Sequence, residues 1–196
     1  KDSPFLVPLI LEWEVRLERP LRVGVIEKSP IESIVAPEAK AALRKAVHFL
    51  EEIGCEVESI GWPVDGVEVM KNYYLMNSVE TAAMMQGLEA SLGRALTKDD
   101  MELMTWGIYQ SGQHILAKDY SAALAKWDTY AHAMEKVHEE FDLILTPTVS
   151  DVAPLQTQFP MEESVRQALN QIEELSVPEQ QSVIWRMFDR TLALTP

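Results

Sequence analysis

The chain carries a single cysteine, Cys55, among its 196 residues, so no disulfide can form within it. A lone thiol suits a reducing compartment, and cytoplasm is the default expectation. Basic side chains are scarce: Lys and Arg number 17 against 31 Asp and Glu, a formal charge of −14. Such a surface repels a phosphate backbone, which argues against nucleic acid as a partner. No apolar run approaches the roughly 20 residues that cross a bilayer as a helix, and no basic stretch followed by an apolar one opens the chain, so neither a span nor a leader is expected. The four histidines, His48, His114, His132 and His138, include no pair at helical i, i+4 spacing. With one thiol besides, a zinc centre is not expected, nor is any other cofactor. There is no Gly-x-Ser-x-Gly elbow and no pair of adjacent serines, so no serine is placed for attack beside backbone donors that could hold an oxyanion.

What is present is an α/β pattern with 47% apolar residues, enough for a sizeable core. Residues 1–19 read as an arm. Leu21–Ile26 is rich in β-branched residues and predicts a strand ended by Lys28-Ser-Pro30. From Pro37, a good first helical residue, Leu43, Ala46, Val47, Leu50 and Ile53 fall on one helix face, and Gly54 is a natural stop. Cys55–Ile60 alternates apolar and acidic residues, as a half-exposed edge strand does. Strand, helix and strand form a βαβ unit with parallel strands. A dinucleotide site is excluded by its first turn, Glu27–Ala36, which has no glycine to let a pyrophosphate approach the backbone.

Three helices are expected next. Asp65 with Glu68 makes an Asp version of a capping box and opens one that runs to about Ser91, before Gly93, with Val67, Met70, Tyr74, Thr81, Met85 and Leu88 on one face. Thr97 caps the second, whose stripe is Met101, Met104, Ile108 and Ile115, with a bend at Gly112. The third runs from about Asp119 to Glu140 with Tyr120, Leu124, Trp127, Ala131, Met134, His138 and Phe141 inward. These helices form a layer over a small sheet, with Trp106, Trp127, Met84 and Met85 as core and His138 as a partly buried packing residue. Leu143-Ile-Leu145 reads as a short strand buried on both faces and stopped at Pro147. Neighbouring acidic pairs such as Glu51-Glu52, Asp99-Asp100, Glu139-Glu140 and Glu173-Glu174 read as solvated faces. Beyond Pro154, Glu162–Leu175 is an amphipathic helix with Val165, Leu169, Ile172 and Leu175 inward, and Pro178 starts another carrying Trp185 and Phe188. These two suit a lid, a packing hairpin or an oligomer contact, a homodimer among them.

The segment Asp142-Leu-Ile-Leu-Thr-Pro-Thr148 resembles one found in the amidase signature family, in which an aspartate and three apolar residues precede Thr-Pro-Thr. Pro20–Val25 and the helix from Pro37 to Gly54 agree with it. Tyr73–Ala83 and Asp99–Trp106 resemble the branch that contains 6-aminohexanoate cyclic-dimer hydrolase. The likeness spans roughly residues 20–155 and returns at Arg190–Pro196. It implies a fragment of the amidase signature fold, a small partly parallel sheet with a βαβ unit covered by several long helices. Residues 20–155 are then the amidase part, and 156–196 a helical hairpin leading into a truncated core strand. A start at Lys1 and an apolar end, Leu192–Pro196, fit a piece of a longer chain; a mature protein with a processed start is the alternative.

The resemblance further implies a Ser–cis-Ser–Lys core for amide hydrolysis. Nothing in these residues matches it, so the catalytic half is expected upstream and this piece alone is expected to be inactive. The helix with the tyrosine-rich motif lines the acyl pocket in that family, which makes Tyr73, Tyr74 and Asn77 candidate contacts to a small-molecule amide. An aromatic wall with one orienting carboxamide suits such a ligand. The alternative for these residues is ordinary core and helix surface. Glu80 is expected to anchor the helix by a buried polar contact, and Thr146 and Thr148 to floor the cleft. A second reading, from a different class, is an independent acidic interaction module that binds a protein through methionine- and aromatic-rich helices.

Overall fold

The computed structural model describes residues 19–153 and 161–192, and three short strands in it define one parallel sheet. β1 (Arg22–Val25) is central, with β2 (Glu56–Ser59) on one side and β3 (Leu143–Leu145) on the other, both parallel to it. The register pairs Val23 with Val57 and with Leu143. Val23 and Val25 point to α1 (Pro37–Glu52) and meet Leu43, Val47 and Leu50. On the opposite face the Arg22 guanidinium lies over the Phe141 ring, 5.1 Å from its centroid. β2 is the half-exposed edge its alternation predicts, and Gly54 (φ 92°) ends α1's turn into it.

Asp142 fixes where β3 begins. Its carboxylate accepts the Arg22 N–H (2.8 Å) and both terminal nitrogens of Arg19 (2.7 Å each), while its own N–H donates to the Arg22 carbonyl (2.8 Å). This bidentate pairing ties β3 to β1 at their starts.

α2 (Gly66–Leu92) begins at Asp65, whose carboxylate accepts the Glu68 N–H (3.0 Å), and ends at Gly93 in the left-handed conformation (φ 68°). The single expected helix after Thr97 is broken in two. Thr97 donates its N–H and hydroxyl to Asp100, which also takes both Arg94 nitrogens, closing a 3-10 turn over Lys98–Asp100. α3 (Leu103–Gln113) follows and stops before Ile115. Gly112 is no bend: a Cβ there would lie 1.8 Å from the Ser78 carbonyl oxygen, so the glycine is what lets α3 touch the backbone of α2.

α4 (Ala117–His138) is rotated from the expected face. Ala123 is the buried contact, because the Asn72 amide donates to its carbonyl (2.8 Å) and holds α4 against α2. Lys126 pairs with Glu68, and the Tyr120 hydroxyl donates to Glu80, so Glu80 does anchor α2, though through an exposed contact. Leu124, Trp127, Ala131 and His138 consequently face outward, and Trp127 and Met84 are not core. Trp106 is core, as expected, and Met85 is partly buried against it.

The helices do not simply cover the sheet; they build a core of their own. α2 and α3 meet α5 (Glu163–Asn170), a 3-10 turn (Ile172–Glu174) and α6 (Val177–Leu192) around Tyr74, Trp106, Tyr109, Leu169, Ile172 and Ile184. The single helix expected over Glu162–Leu175 is broken into α5 and the 3-10 turn, yet Val165, Leu169 and Ile172 are buried as the spacing predicts. Among the described residues α5 and α6 pack against α2 and α3. Leu192 is helical, not the start of a strand, and the rest of that expected strand lies outside the described residues, as does the arm apart from Arg19. Among the described residues no helix is long and apolar enough to cross a membrane.

Candidate functional site

α2 carries the tyrosine-rich motif, and its rotation decides what each motif residue does. Ser78 and Ala82 lie one and two turns beyond Tyr74 on the buried face, so Tyr74 points into the helical core. There its ring stacks on Phe188, with centroids 3.9 Å apart and planes 9° from parallel. Burial, aided by neighbouring Tyr73, pushes its phenol up to about 12. Tyr73 meets the same ring edge-on (5.3 Å, 69°) but is 44% exposed. Asn77, half-buried, is one turn beyond Tyr73 on the flank of the helix. The structure therefore divides the candidates: Tyr73 and Asn77 share an accessible face, and Tyr74 supports it from beneath.

The sheet offers a second location. In open parallel sheets ligands gather beyond the carboxyl ends of the strands, where strand order reverses. β1 has neighbours on both sides, and a cleft of about 960 Å³ opens beyond its end, lined by Glu27 and Lys28, by Ile60–Trp62 after β2, and by Asp65 at the start of α2. The Trp62 indole donates to the Lys28 carbonyl (2.7 Å), and Lys40 pairs with Glu27 (2.9 Å), holding that carboxyl below its ordinary value. A groove of about 390 Å³ lies beside β3, where Thr146, Pro147 and Thr148 face Ala39, Ala42 and Ala46 of α1. This groove, between the Thr-Pro-Thr turn and α1, does not include Tyr73, Tyr74 or Asn77. Trp62 and the Glu27–Lys40 pair carried no signal in the sequence, since their juxtaposition depends on how β2 and α1 dock beside β1.

The buried hydroxyls of Ser29, Ser78 and Ser111 are engaged: Ser29 accepts from Ile31 N–H and Ser33, Ser78 donates to the Tyr74 carbonyl, and Ser111 accepts from the Gln181 amide. Among the described residues, no three His, Cys, Asp or Glu side chains come together as metal ligands would.

Comparison with known proteins agrees with this architecture. Residues 6–180 match the amidase family. The chain is similar to a lipoamidase of Enterococcus faecalis, 30% identical over 174 residues, which cover 89% of this chain and 24% of that protein. It is similar also to 6-aminohexanoate-cyclic-dimer hydrolase of Pseudomonas sp. (strain NK87), 28% identical over 138 residues, or 68% of this chain and 28% of that one. The chain thus spans about a quarter of the length of these relatives. Among solved structures, 6-aminohexanoate cyclic dimer hydrolase complexed with substrate superposes with a TM-score of 0.65 at 25% identity, covering 86% of this chain and 37% of that one. A bacterial aryl acylamidase of the amidase signature enzymes shares the fold, with a TM-score of 0.61 at 22% identity over 74% of this chain and 31% of that one. On the match over residues 6–180, together with the parallel βαβ unit and its helical core, the chain belongs to the amidase family.

Proposed function

We propose that this chain is the substrate-shaping part of an amide hydrolase whose Ser–cis-Ser–Lys core is supplied by sequence upstream of it. The observation that carries this is β3. Strands of a parallel sheet are ordinarily buried on both faces, and an exposed apolar edge is one that native proteins cover or blunt. Among the described residues Leu143-Ile-Leu145 pairs with β1 alone, and Leu143 is 47% exposed. An apolar edge strand of this kind awaits a neighbour, which a longer amidase chain would provide. The small share of each relative that the chain covers supports the same reading, as does the lack of any adjacent serine pair.

The substrate class is a small organic amide, with linear or cyclic aminohexanoate-type oligomers, peptide amides and aryl amides all compatible with an apolar pocket. Tyr73 and Asn77 contact it and Tyr74 holds Tyr73 in place. Mixing this chain with the separately produced upstream part should restore hydrolysis of simple amides, while this chain alone hydrolyses none. Hydrolysis by these 196 residues unaided would overturn the reading. In the longer enzyme, Asn77→Ala should raise KM by roughly tenfold with kcat little changed, as loss of uniform binding does; an unchanged KM would remove Asn77 from the pocket.

A further inference from the structure

Three aromatic rings in contact lead from α6 to the accessible face of α2. Phe188, partly buried on α6, lies flat against Tyr74, with centroids 3.9 Å apart and planes 9° from parallel. Tyr74 is buried and meets Tyr73 edge-on at 5.3 Å. Tyr73 is exposed and shares its side of the helix with Asn77. The series thus runs from the contact between two helices to the ring that a ligand can reach.

Tyr74 differs from the other tyrosine of the helical core, Tyr109, in what orients it. Tyr109 is held through its hydroxyl, which donates to Glu89 (3.0 Å). The contacts that orient Tyr74 among the described residues are to rings, and a parallel stack at this separation fixes the plane of the ring it covers. α6 is in turn set along α2 by a second contact, one turn away on both helices. Lys71, three residues before Tyr74, holds its ammonium 5.1 Å from the centre of the Trp185 ring, three residues before Phe188. Gln181, one turn further back, donates its amide to the buried hydroxyl of Ser111 in α3. α6 is thereby registered against both α2 and α3, and Phe188 cannot slide off Tyr74 without breaking these contacts.

We propose that Phe188 is a positioning residue for the substrate pocket, which it serves by fixing the Tyr74 ring and, through it, the orientation of Tyr73. This rests on the reading of Tyr73 as a substrate contact. A side chain already held in its bound orientation loses less freedom when a ligand arrives, so it contributes more to affinity than a mobile one. Freed of the stack, Tyr74 can turn, and Tyr73 loses the wall that holds it. Recognition of the amide then suffers, while bond cleavage, in which neither ring takes part, does not. α6 thus belongs to the recognition machinery although it carries no candidate contact of its own.

In the protein at its full natural length, with hexanamide and para-nitroacetanilide as probes, Phe188→Leu should raise KM roughly threefold to tenfold with kcat little changed. A residue that served folding alone would lower the active fraction, and so the apparent kcat, at unaltered KM. Phe188→Tyr keeps a flat ring and should bring KM back to within about twofold of the parent value. In a Tyr73→Ala background, Phe188→Leu should add nothing to KM, since the residue it positions is gone. An unchanged KM in Tyr73→Ala would overturn the pocket reading, and this inference with it. A raised KM in Tyr73→Ala beside an unaltered KM in Phe188→Leu, or effects of the two that simply add, would overturn the positioning role alone. Should Phe188→Leu not fold, Phe188→Met fills the space without a flat ring and carries the same comparison. Loss of folding in both would mark Phe188 as purely structural and overturn the role.

Discussion

At Asp142 one carboxylate does three things: it accepts a backbone N–H, receives a bidentate guanidinium, and sets the first residue of a strand. The Arg19 hydrogen bonds foremost, then the Arg22 N–H, hold its pKa at about 2. A carboxyl depressed in the folded state stabilises the fold above its unfolded pKa, roughly 3.9, and ceases to do so as pH falls to the folded value. Melting temperature should therefore drop between about pH 4 and about pH 2, and Asp142→Asn should flatten that part of the profile while lowering the melting temperature at neutral pH. An unchanged acid limb in the variant would mean that the clamp contributes nothing. Tyr74 gives the opposite sign at the alkaline end. Its phenol is pushed up to about 12, so the contribution it makes is complete below the ordinary tyrosine value near 10 and is lost as pH rises towards 12. Phenolate absorbance should show several tyrosines that ionise late, since burial also raises Tyr109 and Tyr130 and the hydrogen bond to Glu80 raises Tyr120, and Tyr74→Phe should reduce the amplitude of that late phase.

The element that organises the helical half is the α2–α3 contact. Gly112 lies against the Ser78 carbonyl, and Ser78 itself is held by its own helix through the Tyr74 carbonyl. Gly112→Ala cannot be absorbed by a side-chain rotation, because the obstructing atom is backbone. It should cost about 3 kcal/mol or more, at the upper end of overpacking penalties, measured by chemical denaturation. Leu169, fully buried where α5 crosses Gly107, sets the complementary case: Leu169→Ala leaves a cavity and should cost about 2–5 kcal/mol. If both changes proved nearly neutral, the helical cluster would be far looser than its packing implies.

For the molecule as a whole, the open edge at β3 sets behaviour in solution. Among the described residues β3 pairs with β1 alone, and Leu143 lies exposed at that apolar edge. Leu143→Lys should make the 196-residue chain more soluble and reduce its binding of an apolar dye, with a stability change within about 0.5 kcal/mol because the side chain is exposed. In a longer amidase the same substitution should lower stability and amide hydrolysis together, since the charge would be buried beneath the next strand. Equal tolerance in both settings would argue that β3 is a natural edge.

The sequence by itself determined the elements and their local ends: the β-branched run of β1, Pro37 and Gly54 bounding α1, Asp65 and Gly93 bounding α2, and the inward spacing of Val165, Leu169 and Ile172. These depend on backbone conformation, capping and periodicity, which act within a few residues and so are written locally. It also carried the family, through the Asp142–Thr148 segment and the tyrosine-rich helix. Only the tertiary structure decided which way α4 turns, because its apolar residues are spread around the helix and the Asn72–Ala123 contact, 51 residues apart, selects the face. Tertiary contact likewise turned Tyr74 into core while leaving Tyr73 accessible, and made Gly112 a meeting point of two helices instead of a bend. Long-range steric and hydrogen-bonding choices of this kind involve partners that no window of neighbouring residues contains.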